Sequence, residues 1–219
     1  SYADHAYEFM KQHCLDRVNG GILWSCTYDG KPDDTTKHTY NQAFAIYALS
    51  SYYDATKSRE PLDEAYRLFD CIETHCRDEG GYLEAFDISW KPASNEKLSE
   101  NGVMATRTMN TLLHVFEAYT ELYRVTKDPK VAIKLEWILD TFADKMYNPV
   151  LRRQEVFFDH EYNSLIDLHS YGHDIETSWL IDRGLHILDN KRLSEKLAPI
   201  TDALAENVYE KAFHKGSLY

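Results

Sequence analysis

Apolar residues recur along the chain with the period of an α-helix, and they do so in two alternating ways. Four segments carry an apolar stripe opposite a charged face, which predicts amphipathic helices with one face in solvent: about 2–16, 61–76, 130–146 and 192–212. Three segments are apolar nearly all round, which predicts helices buried on every side: 39–55, 106–125 and 173–188. The pattern therefore predicts about seven helices, in which outer and inner ones alternate.

The connections between these helices alternate in length. Each passage from an inner helix to the next outer one is short, and Pro61 and Pro129 lie where outer helices are expected to start. Each passage in the other direction is long and rich in Gly or aromatic residues, which predicts short strands or hairpins: Gly20-Gly21-Ile22-Leu23-Trp24, Gly80-Gly81-Tyr82-Leu83-Glu84 and Glu155-Val156-Phe157-Phe158.

These helix pairs form an internal repeat. When the starts of the inner helices are aligned, three polar residues match: Asn41, Asn110 and Glu176. The residues three positions earlier are polar as well: His38, Arg107 and His173. Because polar residues recur at the end of the inner helices where the long loops converge, we expect the functional cavity at that end.

The repeat predicts an all-α toroid built of helix hairpins, with residues 1–219 as a single domain. A closed ring takes six hairpins, and this chain supplies about three and a half, so an incomplete part of a barrel is expected. The chain starts without Met inside a helical pattern and ends on a Gly-aromatic segment, so we expect residues to be missing at both ends. The apolar sides of its terminal helices then predict self-association. An open solenoid is the alternative architecture.

Composition and charge exclude several partners and compartments. With 24 Lys and Arg against 36 Asp and Glu, the net charge is -12, which argues against binding to nucleic acid or to an anionic membrane. No stretch approaches the roughly 20 apolar residues of a membrane span. The four cysteines form no CxxC pair, which predicts free thiols and a cytoplasmic protein. Neither these cysteines nor the Asp159-His160-Glu161 run has metal-site spacing, so no metal is expected.

The octapeptide from His169 to Glu176, HSYGHDIE, is the strongest chemical signal. It holds two imidazoles and two carboxylates directly before the third inner helix. An imidazole titrates near neutrality and therefore suits proton transfer. His173 and Glu176 stand at i and i+3, so they share a helix face and can touch. His169 is expected to be structural.

Three classes of function fit these residues. A proton-transfer enzyme needs a base, an acid and a group that stabilises an enediolate oxygen. A glycoside hydrolase needs two carboxylates, and Asp167, Asp174 and Glu176 are candidates. However, Asp174 and Glu176 point apart on a helix, which makes them a poor pair. A non-enzymatic scaffold would spread its polar residues over a concave face, whereas here they gather at one end of the inner helices.

Three segments together resemble the cellobiose 2-epimerases, which belong to the N-acylglucosamine 2-epimerase superfamily. They are the octapeptide 169–176, the segment 37–49 (KHTYNQAFAIYAL) and the segment 98–102 (LSENG). The resemblance runs over essentially the whole chain. It implies an (α/α)6 barrel, no cofactor, and a disaccharide substrate whose reducing-end glucose is epimerised at C2. Cellobiose would become glucosyl-mannose and lactose would become epilactose. An aldose–ketose isomerase of the same superfamily remains an alternative.

The resemblance also implies roles for particular residues. His173 would be one of two catalytic histidines that move the C2 proton through a cis-enediolate, and Glu176 would orient it or hold the substrate. Asn110 and His114 match an Asn-x-x-x-His pattern that binds the sugar, opens its ring or steadies the enediolate oxygen. For Tyr40 and Asn41 at the first inner helix, and for Trp179 near the octapeptide, substrate contact is weighed against helix capping or packing.

The resemblance further implies groups that this chain does not contain. The family's own first inner helix supplies an arginine, and that helix would precede Ser1, while the second catalytic histidine and a Trp-rich platform would follow Tyr219. We therefore expect the 219-residue chain alone to be inactive. The sequence does not determine the oligomeric state.

Overall fold

The computed structural model describes residues 1–98 and 102–218, and the chain forms two compact units, Ser1–Met104 and Ala105–Tyr219. Residues 99–101 of the LSENG segment therefore lie outside the described residues. Among its described residues the first unit contains three α-helices: α1 (Tyr2–Phe9), α2 (Thr39–Thr56) and α3 (Arg59–His75). Its short strands are β1 (Ser25–Cys26), β2 (Pro32–Asp34), β3 (Lys37–His38) and β4 (Ala85–Phe86), with β1 paired to β2 and β3 to β4. A π-helical turn, Met10–Cys14, prolongs α1, and a 3-10 turn lies at Glu96–Leu98.

The second unit contains four α-helices: α4 (Met109–Thr126), α5 (Pro129–Thr141), α6 (Tyr171–Leu188) and α7 (Lys191–Lys211). Its strands are β5 (Arg107–Thr108), β6 (Tyr147–Asn148), β7 (Arg153–Gln154), β8 (Phe157–Phe158), β9 (Phe213–His214) and β10 (Ser217–Leu218). They pair antiparallel as β5 with β8, β6 with β7 and β9 with β10. A π-helical turn, Phe142–Met146, follows α5. The seven segments predicted from periodicity correspond to α1 to α7.

Local chemistry explains where these helices begin and end. The Asp128 carboxylate accepts a hydrogen bond from the Lys130 amide at 2.9 Å, and Pro129 occupies the first position of α5, where no amide is needed. The inner helices α2, α4 and α6 end alike, since each is followed by one residue in the left-handed region: Lys57, Lys127 and Asp189, with φ between 53° and 58°. Such a residue stops a helix and turns the chain toward the next outer helix.

The inner helices differ in burial, which corrects one prediction. Within its described surroundings α4 is buried over most of its length, as the all-round apolar pattern predicts. The same prediction is wrong for α2 and α6, because Phe44 is 38% exposed and Trp179 is 53% exposed. In its own unit α2 packs along α3, while α6 packs against α4 and α7. The remaining faces of α2 and α6 therefore lie at the surface.

Equivalent hairpin turns recur in the two units. The Asp87 carboxylate accepts hydrogen bonds from the amides of Ser89 and Lys91, and Asp159 binds the amides of Glu161 and Asn163 in the same way. Each turn places one aromatic residue in the left-handed region, Trp90 or Tyr162, both with φ 67°. A buried cation from the strand before the inner helix lies over that ring: Lys37 Nζ is 4.5 Å from the Trp90 centroid, and the Arg107 guanidinium carbon is 5.3 Å from that of Tyr162.

The contact between α4 and α6 leads to a stability prediction at Gly184. A Cβ atom built there would lie 2.3 Å from Cζ of the fully buried Phe116. Replacing Gly by Ala in a helix normally stabilises by about 1 kcal/mol, but overpacking a tight core costs about 1–3 kcal/mol. We expect Gly184→Ala to lower the free energy of unfolding by about 1–2 kcal/mol, measured by urea denaturation. Gly172→Ala in the same helix is the control, since nothing lies within 4 Å of its Cβ position. A Gly184→Ala protein as stable as the Gly172→Ala protein would contradict the prediction.

Candidate active site

The starts of α4 and α6 are attached to one short segment of chain. The Met109 amide, at the first residue of α4, donates to the Val156 carbonyl at 2.9 Å. The Gln154 amide, two residues earlier on that segment, donates to the Asp174 carboxylate in the first turn of α6 at 3.1 Å. Two residues of extended chain span at most about 7 Å. The two helix starts are therefore neighbours, as the sequence analysis predicts for the functional end.

His173, the predicted proton-transfer residue, is the third residue of α6 and is half-buried. Its Nδ1 lies 2.7 Å from the Ser170 hydroxyl, so that nitrogen is occupied and Nε2 is the ring atom left for chemistry. Glu176 lies one turn later, but within the described part of the chain no hydrogen bond or ion pair joins it to His173. Ser170, which the sequence analysis did not select, is the partner of His173.

His169 and Asp174 form a second pair in the same octapeptide. His169 Nε2 lies 2.8 Å from the Asp174 carboxylate, which is almost fully buried and also binds the Gln154 amide. Burial raises the pKa of Asp174, and the hydrogen bonds from Gln154 and His169 oppose that rise. His169, which is expected to be structural, is thus paired with Asp174.

Asn110 and His114 lie on α4, one turn apart, as the sequence spacing requires. His114 is only 7% exposed, and its Nδ1 lies 3.0 Å from the Glu117 carboxylate. A carboxylate at Nδ1 holds a proton on that atom and fixes the orientation of the ring. Glu117 was missed by sequence reasoning, although its i+3 spacing from His114 could have revealed it.

Trp179, Tyr40 and Asn41 are the other residues that the sequence predicts to contact substrate. Trp179 projects from the exposed face of α6. Tyr40 and Asn41 belong to the first unit, where the Tyr40 ring packs against Phe44 with centroids 4.8 Å apart. The Asn41 side chain accepts from the His38 amide at 3.1 Å and donates to the Leu23 carbonyl at 3.0 Å, so it closes the start of α2. For Asn41 the structure shows the capping contacts, and its role in binding substrate stays a prediction.

Strand register corrects the repeat alignment by one residue. Lys37 pairs with Phe86, and Arg107 pairs with Phe158, so Lys37 and Arg107 are equivalent. It follows that Asn110 corresponds to Tyr40, whereas the sequence alignment matched it to Asn41. The pairing of backbone strands fixes which residues of the two repeats are equivalent. In the sequence alone, Asn110 matches Asn41 as well as it matches Tyr40, because both are polar residues at a helix start.

His38, in the first unit, was singled out in the sequence only as part of the repeat. Its side chain is fully buried, its ring lies 4.5 Å from that of Trp24, and neither ring nitrogen has a hydrogen-bond partner among the described residues. Burial, together with the nearby positive charge of Lys97, lowers the pKa of His38 to about 4, and the Asp34 carboxylate opposes this shift.

Because its pKa is lowered in the folded protein, His38 should make the free energy of unfolding depend on pH. Between about pH 6.5 and pH 4 the unfolded chain protonates His38 and the folded protein does not, so stability present above pH 6.5 is lost as the pH falls. We expect a loss of about 3 kcal/mol across this window from His38. Denaturation at several pH values should show a shallower dependence in His38→Phe than in the parent protein. The exposed His5 provides the control, since His5→Phe should leave the dependence unchanged.

Two kinds of feature are absent from residues 1–98 and 102–218. In this part of the chain no group of three or more His, Cys, Asp or Glu side chains could hold a metal ion. Over the same residues no helix combines the length and the apolar character that crossing a membrane requires. The four cysteines are free thiols, as the sequence predicts.

Comparison with known proteins decides the family. Residues 1–218 match the family model described as N-acylglucosamine 2-epimerase (GlcNAc 2-epimerase). The chain belongs to the N-acylglucosamine 2-epimerase family. The prediction from HSYGHDIE and its companion segments is thereby confirmed, and so is the prediction that the sequence belongs to a family of enzymes.

Particular members of the N-acylglucosamine 2-epimerase family are close in sequence. The chain is 52% identical to the cellobiose 2-epimerase of Eubacterium cellulosolvens, covering 99% of this chain and 57% of that protein. It is 49% identical to the cellobiose 2-epimerase of Ruminococcus albus, covering 99% of this chain and 56% of that protein. The chain thus spans little more than half the length of these curated relatives.

A solved structure confirms the fold class. The crystal structure of a sugar epimerase from a ruminal bacterium matches with a TM-score of 0.96 at 48% identity, over 98% of this chain and 55% of that one. The predicted class, an all-α partial (α/α)6 barrel of about seven helices, is confirmed by this match. The prediction of a single domain over residues 1–219 stays a prediction.

Proposed function

We propose that the protein containing this chain epimerises the reducing-end glucose of β-1,4-linked disaccharides at C2, converting cellobiose to glucosyl-mannose and lactose to epilactose. One observation carries the proposal. Two imidazoles, His173 on α6 and His114 on α4, each have Nδ1 occupied by a hydrogen-bond partner, on helices whose starts share one segment of chain. This arrangement fixes the orientation of both rings and leaves Nε2 of His173 for the substrate.

The proposed reaction follows from these two atoms. With the sugar ring open, Nε2 of His173 removes the proton from C2, and the electron pair of the C–H bond forms the C1–C2 double bond of a cis-enediolate. The negative charge goes to the oxygen on C1, where the Asn110–His114 pair stabilises it. Return of a proton to the opposite face of C2 from a second acid completes the inversion and restores the aldehyde. No atom other than hydrogen is exchanged.

Other predicted residues take supporting roles in this proposal. Asn110, one turn before His114, binds a sugar hydroxyl, and Glu176 binds the substrate, since Ser170 already occupies His173. Trp179 offers an aromatic face to a sugar ring, which suits a ligand with one apolar face and polar edges. For Tyr40, in the first unit, substrate contact stays a prediction. No cofactor is required, because each step is a proton transfer.

Proton NMR of cellobiose in D2O tests the proposal, using the product of the complete coding sequence that contains this chain, here called the complete protein. We expect a new mannose-type anomeric signal and deuterium at C2 of the product. A ketose product would assign the protein as an aldose–ketose isomerase, and free glucose would assign it as a hydrolase. An unchanged spectrum from folded protein would reject both the substrate and the reaction. The 219-residue chain is expected to be inactive in the same assay.

A further inference from the structure

The octapeptide contains two nested side-chain hydrogen bonds. The outer one joins His169 Nε2 to the Asp174 carboxylate at 2.8 Å, and the inner one joins the Ser170 hydroxyl to Nδ1 of His173 at 2.7 Å. The residues of the inner bond therefore lie between those of the outer bond along the chain. Any movement of the outer pair changes the backbone that carries the inner one.

The outer pair is anchored to the protein interior. Asp174 is 1% exposed and accepts hydrogen bonds from the Gln154 amide at 3.1 Å and from the Gln154 side chain at 3.4 Å. The His169 ring also packs on Tyr171, with centroids 4.0 Å apart. These contacts fix the backbone on both sides of Ser170, because Ser170 lies between His169 and Tyr171 in the chain.

Ser170 itself is used in an unusual way. It is the N-cap residue of α6, and a serine there normally accepts a hydrogen bond from a backbone amide of the first turn. Its side chain makes no such capping bond, and its hydroxyl lies instead against the ring of His173. The hydrogen bond that usually caps the helix is thus replaced by one to His173, the proposed proton-transfer residue.

We propose that Ser170, held in place by the His169–Asp174 pair, positions His173 and selects its Nδ1–H tautomer, which makes Nε2 the proton acceptor. The Ser170 oxygen accepts the Nδ1–H bond while His173 is neutral. It still accepts that bond after Nε2 has taken the C2 proton, so the base keeps one orientation through the reaction. This inference rests on the proposed function of His173. Ser170, His169 and Asp174 are positioning residues, since none of them is required to touch the sugar.

The tautomer is measured by nitrogen NMR of the complete protein labelled with 15N only in histidine, with His173 assigned from a His173→Gln sample. In the parent protein we expect Nε2 of His173 to be the nitrogen without hydrogen. In Ser170→Ala the proton should redistribute to Nε2, and Ser170→Thr should restore the parent pattern because it keeps a hydroxyl. The matched control is Ser178→Ala, which removes another hydroxyl of α6, one that donates to the Thr201 carbonyl. Its His173 signals should match those of the parent.

Steady-state kinetics on cellobiose provide the second readout. Losing a residue that orients a catalytic group typically costs about 10- to 100-fold, so Ser170→Ala should lower kcat by about that factor and leave KM nearly unchanged. Asp174→Asn should shift the tautomer in the same direction, and the Ser170 variants decide the matter if that protein does not fold.

The two readouts separate the two hypotheses. An unchanged His173 tautomer in Ser170→Ala would overturn the positioning role, as would a changed tautomer with unchanged kcat in an active enzyme. If the tautomer shifts as expected while the parent protein leaves cellobiose unaltered, Ser170 does select the tautomer, and the proposed reaction is rejected.

Discussion

Replacing His173 with Gln is expected to reduce deuterium incorporation at C2 of cellobiose by about 10²- to 10⁴-fold in the complete protein, the range attributed to general acid–base groups. Glutamine can still form a hydrogen bond to Ser170 but cannot accept a proton near neutral pH. The rate of exchange is read directly from the loss of the C2 proton signal in D2O.

Folding must be separated from chemistry in this experiment. His173 is half-buried and its hydrogen bond is to one hydroxyl, so His173→Gln should melt within a few degrees of the parent protein. His186, in the last turn of the same helix, is exposed and far along the chain from the octapeptide, so His186→Gln is the matched control and should exchange at the parent rate. Exchange by His173→Gln at the parent rate would remove His173 from the mechanism.

Replacing Lys37 with Met is expected to cost about 3–5 kcal/mol of unfolding free energy, the usual cost of leaving one partner of a buried ion pair unpaired. The Lys37 ammonium is fully buried and lies 2.8 Å from the Asp16 carboxylate and 2.8 Å from the Ile88 carbonyl. It also lies over the Trp90 ring at 4.5 Å. Methionine fills a similar volume but leaves the Asp16 charge without its partner. Urea denaturation of the 219-residue chain measures the loss.

The pH dependence identifies the buried charge as the cause. Burial raises the pKa of Asp16, but hydrogen bonds from Lys37 and from the amides of Asn19 and Val18 outweigh it and hold that pKa at about 2. In the parent protein this depressed pKa contributes stability above about pH 4 that is lost as the pH falls toward 2. In Lys37→Met, Asp16 should take up a proton at a higher pH, so the difference between the two proteins should shrink on acidification.

Two variants control this experiment. Lys31→Met removes a lysine whose side chain is 78% exposed and pairs with Asp29, and it should change stability by no more than about 0.5 kcal/mol. The double variant Asp16→Asn, Lys37→Met removes both charges and should recover part of the loss. If the double variant is no more stable than Lys37→Met alone, an unpaired charge is not the reason for the loss.

The sequence by itself determined the helices and the candidate chemistry. The 3.6-residue period depends only on which side chains avoid water, so all seven helices were predictable, with α6 beginning two residues before the predicted 173. HSYGHDIE and its two companion segments also identified the family, because so many specified residues rarely coincide, and the role of His173 stays a proposal. Helix spacing likewise placed Asn110 and His114 one turn apart on α4.

Only the tertiary structure decided which groups are partners. Sequence spacing allowed Glu176 to touch His173, but the fold gives that contact to Ser170, and it buries Asp174 against Gln154, twenty residues away in sequence. Lys37 likewise finds Asp16 at 21 residues and Ile88 at 51. The one-residue register of the repeat was also fixed by strand pairing with distant residues. Periodicity reports the environment of each residue separately, whereas a hydrogen bond depends on where a second, non-local group comes to lie.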